Sequence, residues 1–236
     1  MWRIIQPFDV ANTSMIQSTK TVREHFAEVI ASTNEVVIAQ CYKEDLANNS
    51  LKKSVSQGSL VKIKSSYDNS FISYGIISKI NNSSLDNIHR PSALGLNSKE
   101  LEYLQPQIFD LLRKELEIYL FAHKDNSEIL NYPPQKPMMI HDFVEEITNE
   151  EGILLTSDIS SLIGLIKRNQ LKPDILIAPI HLGYKLRNFD YNYLIKRGQE
   201  MSRTFSDDMD SIMQILKRFS STINSSKDEK NSKLSK

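Results

Sequence analysis

In the first half of the chain, apolar positions come in short runs with the two-residue period of strands. Residues 24–32 and 34–42 are rich in β-branched and aromatic side chains and are separated by Thr33-Asn34, a turn pair. After the polar stretch Lys43 to Gln57, Gly58 opens a run in which Val61 and Ile63 alternate with Lys62 and Lys64, the pattern of a strand with one wet face. The cluster Tyr67-Asp68-Asn69-Ser70 predicts a turn, Phe71 to Ile80 the next strand, and Gly75 within it a bulge or tight bend. A second Asn/Ser cluster at 81–84 predicts the end of that strand. A connection, Leu85 to Gly95, follows. Pro106 predicts the start of a short helix, Gln107 to Lys114. Leu116 to His123 predicts a final strand with Ile118, Leu120 and Ala122 facing one way.

Strands at this spacing, without a ten-to-fifteen-residue helix between each pair, predict a small antiparallel β-barrel rather than a parallel α/β sheet. The prolines of Tyr132-Pro133-Pro134-Gln135-Lys136-Pro137 resist helix and central strand alike, so the domain boundary is placed there. Beyond it the period lengthens. Short helices are predicted at Ile140 to Thr148 and at Asp158 to Asn169, the second with Ile159, Leu162, Ile163 and Ile166 on one side. A long helix is predicted from Asp190 to Phe219, where Phe205, Met209, Ile212, Met213, Leu216 and Phe219 fall three and four apart. Asp174 to Pro179 is too short to assign to strand or helix. The expected class is therefore α+β: a β-barrel domain over 1–132, a helical domain over 138–220 and a disordered tail over 221–236, with no internal repeat.

Composition narrows the function classes. Of 236 residues, 40% are hydrophobic and 25% charged, as in globular proteins. Lysine and arginine (29) balance aspartate and glutamate (29), so no long-range attraction to a polyanion is built into the whole chain. Cys41 is the only cysteine; it cannot form an intrachain disulfide, reads as a small core residue and fits a reducing compartment. Met1 to Val10 lack the features of a secretory signal, no apolar run is long enough to span a bilayer, and cytoplasm is the expected location. The seven glycines are too scattered for a phosphate-cradling loop, so no nucleotide hydrolysis, cofactor or catalytic residue is expected.

Candidate chemistry is sparse. His141 and Glu145, four apart, would share a helix face able to hold a metal, but Asp142 followed by Glu145 after a proline-rich stretch is also a capping-box spacing, and capping is the favoured reading. Asp158 reads likewise as a helix cap. Asp207, Asp208 and Asp210 suggest a divalent-cation site, yet neighbouring positions diverge on a helix, and a solvated acidic face is favoured. His123 and His181 stand isolated and read as structural or surface residues. Lys52, Lys53, Lys62, Lys64 and Lys79 could gather on one barrel face with Tyr74, Tyr67 and Phe71 as stacking partners, an arrangement small barrels use for single strands, but with zero net charge a plain solvated face is the favoured reading.

The succession Val36-Val37-Ile38-Ala39-Gln40-Cys41-Tyr42, Gly58-Ser59-Leu60-Val61, Gly75-Ile76-Ile77 and Arg90-Pro91-x-Ala93-x-Gly95 resembles the HerA–ATP synthase barrel family, and in particular the stand-alone barrel proteins found in cyanobacteria. The likeness runs over about residues 20–145 and includes Gln107 to His123 and His141-Asp142-Phe143-Val144. It implies a barrel that assembles with or docks onto other proteins, an ATPase or a DNA-processing factor among them, while the motor that hydrolyses ATP lies elsewhere. His89, Arg90, Pro91 and Gly95 are the expected partner-binding segment. Two rival functions follow from other residues: a single-stranded nucleic-acid binder using Lys62, Lys64, Lys79 and Tyr74, and a metal-dependent hydrolase using Asp142, Glu145 and the Asp207 group. A homo-oligomer is compatible with each.

Overall fold

A computed structural model describes residues 24–42, 55–67, 70–85, 92–125, 128–205, 213, 215 and 217. Six strands close an antiparallel barrel: β1 (His25–Ser32), β2 (Val36–Cys41), β3 (Leu60–Lys64), β4 (Ile72–Ser84), β5 (Leu112–Asp125) and β7 (Phe143–Glu146). Their order round the wall is β2-β1-β7-β3-β4-β5, and β5 pairs back with β2. A short β6 (Glu128–Leu130) extends the sheet as a hairpin on β5. Closure removes the open edges that would otherwise template pairing with another chain.

The lumen is filled by one side of each strand. Phe26, Val29, Val37, Ala39, Val61, Ile63, Ile77, Leu116, Ile118, Leu120 and Val144 form a single buried cluster with Met138. At Gly75 a Cβ would lie 2.4 Å from Ile118 Cγ2 and 3.1 Å from the Tyr119 carbonyl, so only glycine admits the neighbouring strand this closely. A register shift between Tyr74 and Gly75 marks the bulge expected there. The same shift corrects the reading of β5: Ile118 and Leu120 face the lumen, but Phe121 and Ala122 both belong to the cluster on the outer side.

That outer side is covered by helices. They are α3 (Asn149–Leu155), α4 (Ser160–Arg168), a 3-10 turn (Pro173–Leu176), α5 (Ile177–Leu186) and α6 (Tyr191–Thr204). Leu60, Tyr74, Ile76, Phe121 and Ala122 of the barrel wall join Leu155, Leu162, Ile166, Leu176, Ile180 and Met201 of the helices in one buried cluster. The α4 stripe is the expected one, with Ile159, Leu162, Ile163 and Ile166 buried. Asp158 is not the N-cap expected of it, since Ile159 holds that position without a side-chain cap; it stands one residue earlier and accepts from Ser160 N at 2.8 Å, and this hydrogen bond heads the causes that hold its carboxyl below the ordinary range. Gly58 (φ +84°) lets the turn before β3 approach this layer, where a Cβ would meet Ala178 Cβ and Ile175 O at 2.8 Å. Asp174 to Pro179, unassigned from sequence, is a 3-10 turn running into α5.

Three expectations are corrected. Ile140 to Thr148 is not a helix: His141 takes φ 72°, which breaks a helix, and Phe143–Glu146 is the strand that inserts between β1 and β3. The barrel thus draws a strand from beyond the proline-rich segment where the boundary was expected. The Asn/Ser cluster at 81–84 is not a turn but the continuation of β4, paired with residues 112–115 of β5. The helix expected over Gln107 to Lys114 ends at Leu111, and a further helix, α1 (Ser98–Leu104), precedes it; the shortened segment is α2 (Gln107–Leu111). Of the long C-terminal helix, α6 ends at Thr204, Phe205 and Ile215 are buried and Met213 is half exposed; Met209, Ile212, Leu216, Phe219 and the tail lie outside the described residues.

Candidate functional site

The ribbon formed by β4 and β5 outruns the barrel. β3 pairs with β4 only from Ile72 to Ile76, and β2 pairs with β5 only from Glu115 to Tyr119. Past those limits Asn82 faces Lys114, Ser83 faces Arg113 and Ser84 faces Leu112 as a two-stranded arm, which continues into the connection bearing α1 and α2. Arg113 braces it by donating from Nε to Ser83 Oγ at 2.8 Å, with Glu115 Oε1 3.5 Å away. Asn97 caps α1 through a complete capping box: its side chain accepts from Glu100 N, and Glu100 accepts from Asn97 N, each at 2.9 Å.

Among the described residues this arm leaves several apolar side chains exposed. Tyr103 is 86% exposed and Leu104 57%, and Leu85, Leu94 and Leu111 are exposed beside them in sequence. Single exposed apolar residues are ordinary, but five on one excursion whose helices bury none of their described residues are not.

The expected partner segment meets this arm. His89, Arg90 and Pro91 lie outside the described residues. Gly95 is placed at φ +69° with open space round its Cα, in the run leading to α1.

The expected nucleic-acid face does not assemble. Tyr74 is buried, and its hydroxyl donates to Glu151 Oε1 at 3.0 Å; burial first, then the Glu151 charge, push that hydroxyl far above the usual phenol range. Lys62, opposite Tyr74 in register, stands between Glu145 Oε2 at 3.5 Å and Glu151 Oε2 at 3.6 Å. Its charge is neutralised within the wall. Lys64 lies two residues on, half-buried opposite Phe143 and Ile72. Lys79 is exposed beside Glu117, five residues along β4 from Tyr74 and so roughly 16 Å away at the usual strand rise. Lys52 and Lys53 lie outside the described residues.

The acidic candidates serve the fold. Asp142 is 1% exposed, and its carboxylate accepts from Ser66 N (2.8 Å), Ser66 Oγ (3.1 Å) and Met139 N (2.7 Å), which ties the turn before β7 to the end of β3. It caps no helix, and Glu145 is the partner of Lys62 instead. The capping box in this region belongs to Thr148 and Glu151 at the start of α3. Asp207, Asp208 and Asp210 lie outside the described residues, among which no group of three or more His, Cys, Asp or Glu converges as a metal site. Cys41 is buried in the barrel. Burial holds the His181 imidazole below its ordinary value, with Lys185 adding to the effect.

A polar chain unforeseen from sequence runs across β1, β2 and the turn before β7. Tyr42 Oη meets His25 Nδ1 at 2.6 Å and donates to Glu28 Oε1 at 2.9 Å, while His141 Nδ1 meets Glu28 Oε2 at 3.1 Å. His25 also stacks on Phe143, ring centroids 4.2 Å apart. Burial alone would raise the Glu28 carboxyl, but the hydrogen bonds from His141 and Tyr42 outweigh it and hold the group below its ordinary value. The chain stitches β7 to β1. Its members are scattered over 117 positions of sequence, and only the paired strands bring them together.

Among the described residues no helix is long and apolar enough to cross a membrane. A scan against protein-family models finds no match, and no curated protein matches the sequence.

Proposed function

We propose that this protein is a non-catalytic docking module of the HerA–ATP synthase barrel type, which seats its β4–β5 arm on an apolar surface of a protein partner. The resemblance of residues 20–145 to that family supports an ATPase or a DNA-processing factor as the partner, and a reducing, cytoplasmic setting for both. The observation that carries the reading is the arm itself: a braced ribbon whose tip offers Leu94, Tyr103, Leu104 and Leu111 to solvent. Apolar and aromatic residues at the centre of a contact supply most of its energy. The barrel holds the arm rigidly, since β4 and β5 are both wall strands.

The test compares capture by immobilised protein with capture by the Tyr103→Ser/Leu104→Asp variant. Both positions are exposed, so the variant should melt within a degree or two of the original, as surface substitutions do. A stoichiometric protein partner, retained by the original and lost by the variant, is the expected result. A partner held equally by both would place docking elsewhere on the surface.

A further inference from the structure

At the end of the β4–β5 pair opposite the arm, a cleft of about 660 Å³ opens beside the mouth of the barrel. It is lined by Ser65 after β3, Phe71 before β4, His123 and Lys124 of β5, and by Tyr132, Gln135, Lys136, Pro137 and Met139 of the proline-rich segment crossing above. The proline-rich segment, where a domain boundary was expected, thus lines the cleft. Its placement is fixed: Ser32 Oγ donates to the Met138 carbonyl at 2.5 Å, and Asn34 Nδ2 donates to the Gln135 carbonyl at 3.2 Å.

The lining combines two chemistries. Lys124 and Lys136 bring positive charge, and among the described residues that line the cleft there is no carboxylate. Asp142, in the turn that follows Met139, already has its oxygens occupied by Ser66 and Met139 donors. Against the lysines stand flat and apolar groups: Phe71, Pro137, Met139 and Tyr132, which is 48% exposed. Tyr132 meets His123 edge-on at 4.8 Å, and His123 Nδ1 approaches the Tyr132 carbonyl at 3.0 Å, so this aromatic pair is held in place. Ser73, opposite His123 in the β4–β5 register, is buried behind the lining, and its Oγ has no hydrogen-bond partner. A concave, largely apolar cleft with a few convergent polar groups is the usual form of a small-ligand site.

We infer that this cleft binds a nucleotide unit, with the phosphate between Lys124 and Lys136 and the base against Tyr132 and Phe71. Aromatic faces beside lysines suit that unit because every base offers a π-face and every phosphate a charge. The Gln135 amide supplies a donor and an acceptor for a base edge. The unit comes either as a free nucleotide or as part of a single strand, and the lining fits the chemistry the two share. Of the residues expected on the β3–β4 face only Phe71 lines this cleft, where it meets lysines and a tyrosine not expected from sequence.

The test titrates the full chain with adenosine monophosphate by calorimetry and with a short fluorescein-labelled oligothymidylate by anisotropy, at low and then rising salt. Binding of either probe, weakening as salt rises, is expected, and the Lys124→Glu/Lys136→Glu variant should bind roughly tenfold or more weakly once its phosphate contacts are lost. Tighter binding of the oligonucleotide identifies a strand as the source, and equal or tighter binding of the monophosphate a free nucleotide. Should the double variant fail to fold, Tyr132→Leu, at a half-exposed position, carries the same comparison through loss of stacking. The inference is overturned if neither probe binds at low salt, or if folded variants bind as tightly as the original.

Discussion

A fragment ending at Pro137 should show no cooperative unfolding transition and should collect in aggregates, although it contains the first five barrel strands and the whole apolar pattern read as a complete barrel. The reason is β7. Without Phe143–Glu146, β1 loses its partners at His25, Ala27 and Glu28, and β3 loses its partners at Val61 to Lys64. Two long edges open at once. Val144 leaves the lumen, and the Asp142 carboxylate no longer ties Ser66 to Met139. The helices that cover Leu60, Tyr74, Ile76 and Phe121 are lost with it, so the outer wall is stripped as the inner one opens. Losses on both faces exceed the 5–15 kcal/mol by which domains are usually stable, and exposed edges with apolar faces aggregate. Circular dichroism with urea titration of the fragment decides the matter: a sigmoidal transition would mean that the barrel closes without β7.

The second large effect is expected at Arg197, the largest fully buried side chain among the described residues, 1% exposed. Its guanidinium lies 5.3 Å from the centroid of the Tyr193 ring, and Nη1 meets Glu200 Oε2 at 3.0 Å without the alignment of a hydrogen bond; Nε and Nη1 are buried without such partners. Arg187, near the same ring at 4.4 Å, is differently placed, donating to Thr156 Oγ1, Gly183 O and Ile153 O. Arg197 therefore contributes mainly by its volume and its cation against the ring, while its unpaired donors count against it. Arg197→Ala should cost about 3 kcal/mol, the range of large-to-small changes in cores. Glu200 is 30% exposed and can rehydrate, so little is added by its lost partner. Arg197→Met, which refills the space with no donors to satisfy, should fall within about 1 kcal/mol of the original or exceed it, as replacements of buried ion pairs often do. Urea midpoints of the two variants separate volume from charge; a methionine variant as weak as the alanine one would show that the guanidinium itself is required.

Local pattern revealed those strands whose two faces differ. Val61 and Ile63 against Lys62 and Lys64 gave β3 its place, and Gly75 announced its bulge, because burial on one side imposes a period that sequence retains. β7 escaped because it is four residues long, sends only Val144 into the lumen cluster, and takes partners some eighty and a hundred and more positions away, at Val61 to Lys64 and His25 to Glu28. Nothing local distinguishes such a strand from a helix turn. The arm escaped for the opposite reason: Asn81 to Ser84 have no buried face, so their composition is free to look like a turn. Its helix α1 did leave a sign, the spacing Asn97-x-x-Glu100, equivalent to the Thr148-x-x-Glu151 that opens α3. The apparent box at Asp142 and Glu145 drew the eye instead, and there the two carboxylates turned out to serve a loop and an ion pair. Of the candidate sites, the cleft could not be read at all, since its walls come from four separate stretches of chain.

The claim on which the account stands is that the arm, and no reacting side chain, is the working surface. Site-specific photocrosslinking in cells tests it most directly, with benzoylphenylalanine at Tyr103 and, as control, at Tyr191 of α6, which is also exposed. A single discrete adduct is expected from position 103, formed with a partner protein and abolished by Leu104→Asp. Adducts indistinguishable between the two positions, or none from position 103, would contradict it.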